Sequence, residues 1–301
     1  MEENILNNRL ALSIHPWWIN GNLKRMEREL SAIEEAGADY AELVLHGLDA
    51  VIGGRLVPGR LRQVREILSR HSLRYTLHLP YELNLLDPEA SALYESVFLA
   101  GIRFAQETGC EVIVYHAGYA AGTAEALQNR EAEILGRLLD EAGGIPVCME
   151  NGPFYAPGMF SAGSSAENMV RFCRLIGRPN FRLTFDAGHS FLCNRGDAKA
   201  LLTDAELLLP FVAHVHLHDN FGIPLRMEDK DYSHRIACGA ADLHLPPGWG
   251  GIPFKPLLDI FQPYKGIFVL EIEKRFEDQY GASLDFVRQH IGQKTQTKNR
   301  P

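Results

Sequence analysis

The sequence predicts a closed (βα)8 barrel, and three observations predict it. Short apolar, β-branched runs recur eight times, amphipathic segments separate them, and every run finishes on a histidine or a carboxylate. The runs are LALSIH, AELVLH, LRYTLH, EVIVYH, IPVCME, FRLTFD, FVAHVH and GIFVLE. They end at His15, His46, His78, His116, Glu150, Asp186, His216 and Glu271. Successive ends lie 31, 32, 38, 34, 36, 30 and 55 positions apart. A strand, a loop and a helix need roughly 30 to 40 residues, so the rhythm is that of repeated βα units. Runs this apolar suit parallel strands covered on both faces. An open doubly wound sheet is the competing architecture. Eight regular units without a glycine-rich phosphate loop favour closure.

The intervening segments carry helical spacing. NLKRMERELSAIEEAG places Leu23, Met26, Leu30 and Ile33 on one face with charges opposite. GRLRQVREILSRH, ASALYESVFLAGIRFAQETG, TAEALQNREAEILGRLLDEAG, SAENMVRFCRLIG, DAKALLTDAELL, PFKPLLDIF and ASLDFVRQHIG follow in turn. Several stop at glycine, in AGAD, ETGC, EAGG and LIGR, as helix C-termini commonly do. The interval before Glu271 holds roughly 20 residues more than the rhythm asks, which predicts a lid or substrate-contacting loop after strand seven. The barrel is therefore expected over 1–292, with the polar, aperiodic 293–301 as a disordered tail.

Composition narrows the class. No apolar stretch approaches the ~18 residues that span a bilayer, and the N-terminus lacks the basic and apolar regions of a secretory signal. Five scattered cysteines without a CxxC pair suit a reduced, cytoplasmic protein, with Cys148 and Cys173 as core thiols. A formal net charge of −8 argues against a broad nucleic-acid surface. Oligomeric state is not legible.

Function in such barrels gathers at the C-terminal strand ends, where the polar residues stand. Alternation puts His214, His216 and His218 on one side of strand seven, with His218 near the rim. It also puts Glu150 above Cys148, Asp186 above Thr184, and Glu271 on the face of Val269 and Glu273. Two glutamates, an aspartate and a histidine then converge, a set that suits Zn²⁺, Mn²⁺, Co²⁺ or Mg²⁺ without choosing among them. A lone histidine is more often structural, and that reading is kept for His15 and His46. Six successive ends bearing His, His, Glu, Asp, His and Glu are hard to explain by packing, because buried carboxylates need partners.

These residues resemble the xylose isomerase-like barrel superfamily, which includes sugar epimerases and the family 2 apurinic/apyrimidinic endonucleases (endonuclease IV). The resemblance covers nearly the whole chain. It rests on HLPYELNL at 78–85, YHAG at 115–118, MENGP at 149–153, FDAGH at 185–189, HLHDN at 216–220, DLHLPPGWGGI at 242–252 and LE at 270–271. Similarity to the epimerases implies one ion held by Glu150, Asp186, His216 and Glu271. The two glutamates would also act as acid and base, with His189 and His218 contacting substrate. Similarity to endonuclease IV implies up to three ions. His78, His116 and Glu150 would hold the first; Glu150, Asp186, His216 and Glu271 the second; His189, Asp242 and His244 the third. Ala187 and Gly188 depart from the Asp-Thr-Cys-His of the nucleases, and Leu243 replaces an arginine. No arginine-bearing insertion loop follows strand two, where Arg55 and Arg60 offer a phosphate contact or merely face solvent.

Two functions follow. The first is a divalent-metal isomerase or epimerase of a sugar or sugar phosphate, in which one glutamate removes a proton and the other returns it. The alternative is a multi-zinc phosphoester hydrolase. The acidic charge and the missing loop favour the first, and the nine-ligand set favours the second.

Overall fold

The computed structural model describes residues 9–152, 158–224, 237 and 239–291. The predicted tail at 293–301, Pro153 of the MENGP motif and positions 225–236 of the long loop lie outside the described residues. Eight strands close into a barrel: β1 (Arg9–Ser13), β2 (Tyr40–Val44), β3 (Arg74–His78), β4 (Ile113–His116), β5 (Val147–Glu150), β6 (Phe181–Asp186), β7 (Val212–Leu217) and β8 (Ile267–Leu270). All neighbours run parallel, and β8 closes on β1 from Arg9↔Ile267 to Leu12↔Leu270.

The outer helices are α1 (Leu23–Glu35), α2 (Pro58–Leu68), α3 (Ser91–Thr108), α4 (Ala124–Ala142), α5 (Ala166–Ile176), α6 (Ala198–Leu208), α7 (Phe254–Ile260) and α8 (Tyr280–Ile291). Their sequences dictate their ends. The Asn22 side chain accepts from the N–H groups of Lys24 and Arg25 and so caps α1, while Met26, Leu30 and Ile33 go into the core as the spacing predicts. Ser165 caps α5 in the same way, and Gly177, at φ 59°, ends it in the left-handed conformation.

Two strand ends differ from expectation. β1 stops at Ser13 because Pro16 opens a short helix (Pro16–Ile19), leaving His15 as its N-cap residue. β2 stops at Val44, and His46 falls in a 3₁₀ turn (Leu45–Gly47). An unforeseen helix (Ala187–Cys193) starts directly after β6, where Asp186 accepts from the His189 N–H at 2.6 Å. A small antiparallel ribbon (Tyr119–Ala121 with Met159–Ser161) ties the loop after β4 to the loop after β5.

The core divides at the barrel wall. Most apolar side chains pack between strands and helices. Ala11, Tyr40, Val112, Val114, Cys148, Ile267 and Val269 form a separate cluster. Cys148 and Cys173 are both buried, as core thiols should be. The strand residues that share an inward parity with this cluster towards the C-terminal ends are polar, which leaves the site at that end.

Candidate metal centre

All nine predicted ligands converge at the C-terminal mouth, and His218 joins them. Glu150, at the end of β5, is the hub. Its Oε2 lies 3.0 Å from His78 Nε2 and 3.3 Å from His116 Nε2. Its Oε1 lies 3.0 Å from His189 Nδ1 and 3.4 Å from His216 Nδ1. His216 Nδ1 also faces Asp186 Oδ2 at 3.7 Å and Glu271 Oε1 at 3.6 Å. Asp242 is a second hub, with His189 Nε2 at 3.2 Å, His244 Nε2 at 3.0 Å and His218 Nδ1 at 3.5 Å.

Ligand atoms within 4.8 Å of one another fall into adjoining groups: His78, His116 and Glu150; Glu150, Asp186 and His216; Asp186, His218 and Glu271; and His189, His218, Asp242 and His244. His218 sits deeper than expected. It is fully buried, its Nε2 is 3.2 Å from Asp186 Oδ1, and its ring stacks on His244 at 4.0 Å.

The rings are held from behind. His78, His116, His189 and His244 donate Nδ1–H to the carbonyls of Leu79 (2.6 Å), Tyr81 (3.2 Å), Asn151 (2.9 Å) and Glu271 (2.9 Å). Each carbonyl can only accept, so the rings of His78, His116 and His244 are left with Nε2 towards the centre, whereas His189 Nδ1 also faces Glu150 Oε1 at 3.0 Å.

Divalent cations fit this set on the evidence of its orphaned atoms. Glu150 Oε1, Asp186 Oδ2, Asp242 Oδ1, His216 Nδ1 and both nitrogens of His218 are buried without a hydrogen-bond partner. Leaving such groups unpaired is costly, and a mixed carboxylate and imidazole set is what a cation of this kind takes. Electrostatics agree. Burial opposes the charge on Glu150, yet His216 and His116 hold its carboxyl well below the usual range. Burial likewise opposes protonation of His216, and Glu271, Glu42 and Glu150 overcome it to push the ring well above its ordinary value. His244, against the opposition of burial, is pushed by Asp242 up to about 10.

A cavity of about 570 Å³ opens onto this centre, lined by Trp17, Trp18, Tyr81, His244, Glu271 and Lys274 among others. That is the size of a small-molecule site. Lys274 lies beside Glu29 at 3.8 Å, pairs with Glu277 and sits 4.2 Å over the Trp18 ring. Arg60 donates to the carbonyls of Leu48 and Gly21, so it pins loops rather than awaiting a phosphate. His15 contacts Glu29 and the Ile272 carbonyl through its two nitrogens, the structural role expected of it. His46 instead stands between Trp17 and Tyr81, and burial pushes its pKa down to about 4.

Two residues escaped the sequence reading. Tyr81 packs against His46, His78 and His116, and its signal was the aromatic in HLPYELNL. Glu42 is fully buried in the middle of β2, and its signal was one charge inside an apolar run.

Fold and centre together define a (βα)8 barrel with a carboxylate–histidine cluster at its catalytic end. The chain belongs to the xylose isomerase-like TIM barrel family, whose description matches residues 30–290. An inosose dehydratase of Glaesserella parasuis serovar 5 (strain SH0165) is 33% identical over 97 residues, so the chain matches only 31% of that protein's length and 31% of its own. The structure resembles a D-tagatose 3-epimerase-like protein (TM-score 0.72, 22% identity, 94% of this chain and 98% of that one). It also resembles the D-psicose 3-epimerase of Clostridium cellulolyticum H10, solved with D-tagatose (TM-score 0.69, 13% identity, 94% and 99%). No helix among the described residues is long and apolar enough to cross a membrane.

Proposed function

We propose that the chain is a divalent-metal-dependent isomerase or epimerase acting on a small sugar or sugar phosphate by proton transfer. The observation that carries this reading is the placement of Glu271, directly after β8, and Glu150, at the end of β5, around one centre, with Glu271 lining the cavity. The likeness to sugar epimerases and to an inosose dehydratase supports the substrate class. Glu150, Asp186, His216 and Glu271 would hold the ion. When bound, it supplies positive charge opposite vicinal sugar oxygens and so favours loss of the carbon-bound proton.

The chain's own residues divide the remaining work unequally. Glu271 is 8% exposed, lines the cavity and has His216 and His244 as the ion-pairing neighbours of its carboxylate, so it can reach substrate and move a proton. Glu150 is 1% exposed and enclosed by four histidines, which makes it the stronger ligand and the less accessible base. Trp17 and Tyr81 line the same cavity, with His46 packed between them, and offer apolar faces that can orient a ring.

Deuterium incorporation from D₂O into a panel of ketoses and ketose phosphates tests this reading. Wild type should exchange a carbon-bound proton. Glu271→Gln should lose that exchange by ~10²–10⁴-fold while retaining metal through the other ligands. The four-residue group of His189, His218, Asp242 and His244 favours a second reading, a multi-metal phosphoester hydrolase. Metal-dependent cleavage of an abasic duplex without deuterium incorporation would establish it instead.

A further inference from the structure

Glu42 is not among the residues proposed to hold the ion, yet it lies directly beneath them. Strand register sets it in one layer with Ser13 and Thr76. Its Oε2 accepts from Thr76 Oγ1 at 3.1 Å and from His214 Nε2 at 2.8 Å. Its Oε1 lies 3.3 Å from His216 Nε2. His216 therefore turns one ring nitrogen to Glu42 and the other, Nδ1, to Glu150, Asp186 and Glu271. This reverses the arrangement at His78, His116 and His244, where a backbone carbonyl takes the Nδ1 proton. Among the described residues no carbonyl bond is recorded for His216, whose Nε2 lies 3.3 Å from the Glu42 carboxylate while the His214 ring packs 5.2 Å away.

We propose that Glu42 is a positioning residue that keeps the proton of His216 on Nε2 and so aims the Nδ1 lone pair at the central site. The inference rests on the metal reading above. A neutral imidazole has one N–H and one lone pair, and a carboxylate can only accept. A carboxylate behind a ligating histidine fixes ring orientation and raises ligand basicity. A cation seated instead between Glu42, His214 and His216 would have to break the 2.8 Å bond from His214 and compete with the Thr76 hydroxyl for the same oxygen.

The test reads the ring itself. Long-range ¹H–¹⁵N spectra of ¹⁵N-histidine-labelled full-length protein loaded with Zn²⁺ should show His216 with Nδ1 on the metal and a proton on Nε2. Glu42→Gln, which keeps the shape but supplies one acceptor and one donor, should weaken Zn²⁺ at the central site about 10- to 100-fold, measured against a chromogenic chelator. Zn²⁺ on Nε2, loss of the Nε2 proton on loading, or unchanged affinity in Glu42→Gln would overturn the proposal. The wild-type spectrum decides even where the variant fails to fold. Wild type that takes up no Zn²⁺ overturns the metal reading. The metal-free ring, examined at a pH where it is neutral, then decides Glu42 separately: an Nε2 proton supports its hold on the ring, and an Nδ1 proton overturns it.

Discussion

Glu131 shows what one buried carboxyl does to this barrel. It lies on α4, fully buried, with Oε1 accepting from the Gly118 N–H at 2.6 Å and Oε2 without a hydrogen-bond partner. Burial pushes its pKa up to about 8, against the opposing pull of the Gly118 bond. The folded state therefore holds a proton that the unfolded chain releases near pH 4.5. Between those values the native state binds more protons than the unfolded one. Stability should consequently fall as pH rises from 4.5 through 8, and the loss should then level off. The full penalty is on the order of 5 kcal/mol, at 1.36 kcal/mol per pKa unit. Glu131→Gln keeps an acceptor for Gly118 and carries no charge. It should match wild type near pH 4.5 and melt at a higher temperature at pH 8 to 9. Parallel melting profiles for the two proteins across that range would refute the assignment. The same bond fixes Gly118, two residues after His116, so the acid also steadies the chain beside a proposed ligand.

At the scale of elements, Asp219 binds the long loop to β7. Its Oδ1 accepts from the Asn220 and Ile252 N–H groups at 2.9 and 3.1 Å, and its Oδ2 from Gly248 and Gly250 at 2.9 and 2.8 Å. Backbone bonds in both directions with Leu245 add a bridge. Gly250 is required there, since a Cβ would stand 2.4 Å from Asp219 Oδ1 and from the Asn220 carbonyl. The described part of the loop, 239–252, is thus an anchored segment that places Asp242 and His244, and the expected lid role does not extend to it. Asp219→Asn replaces one acceptor by a donor facing backbone N–H groups. It should cost on the order of 3 kcal/mol, since bonds to a charged group contribute about 1.5–3 kcal/mol each, and it should loosen metal at His189, His218, Asp242 and His244. Unchanged melting and stoichiometry would remove this role. Such a clamp was illegible in the sequence because its donors are backbone groups up to 33 residues away. Strands and helices were legible because their periodicities are local, and the proposed ligands His78, His116, Glu150, Asp186, His216 and Glu271 because they end apolar runs, whereas His189, Asp242 and His244 were legible only through the resemblance to endonuclease IV. Glu42 was not, since only register across the closed barrel brings β2 under His216. His15 and His46 looked like strand ends until Pro16 and a 3₁₀ turn ended those strands early.

For the molecule as a whole, the proposed metal centre would set protons against metal. Glu42, Glu150, Asp186 and Asp242 are all held in their charged form, against the cost of burial, by neighbouring histidines. The compensating protons are favoured on His78, His189, His216 and His244, each raised above its ordinary value by neighbouring carboxylates, Glu271 foremost at His216, again against burial. A divalent cation takes the same lone pairs, so loading must expel protons. Affinity should therefore rise with pH. At the His244 group the rise should continue towards pH 10, because its ring holds a proton up to about 10. Titration calorimetry in two buffers of different ionisation enthalpy measures the protons released. Binding to the folded state alone stabilises it by about 2.7 kcal/mol at a free metal concentration 100 times Kd. At roughly 2–4 °C per kcal/mol, Zn²⁺, Mn²⁺ or Co²⁺ should raise the melting temperature by about 5–10 °C, and a chelator should reverse the gain. His244→Ala removes one ligand from the outer group and none from Glu150, Asp186, His216 and Glu271. It should lower stoichiometry by one ion while leaving the central ion and most of the thermal gain. Loss of all metal in that variant would mean the groups load as one cluster. Unchanged stoichiometry would return Asp242 and His244 to the substrate cavity whose wall they form.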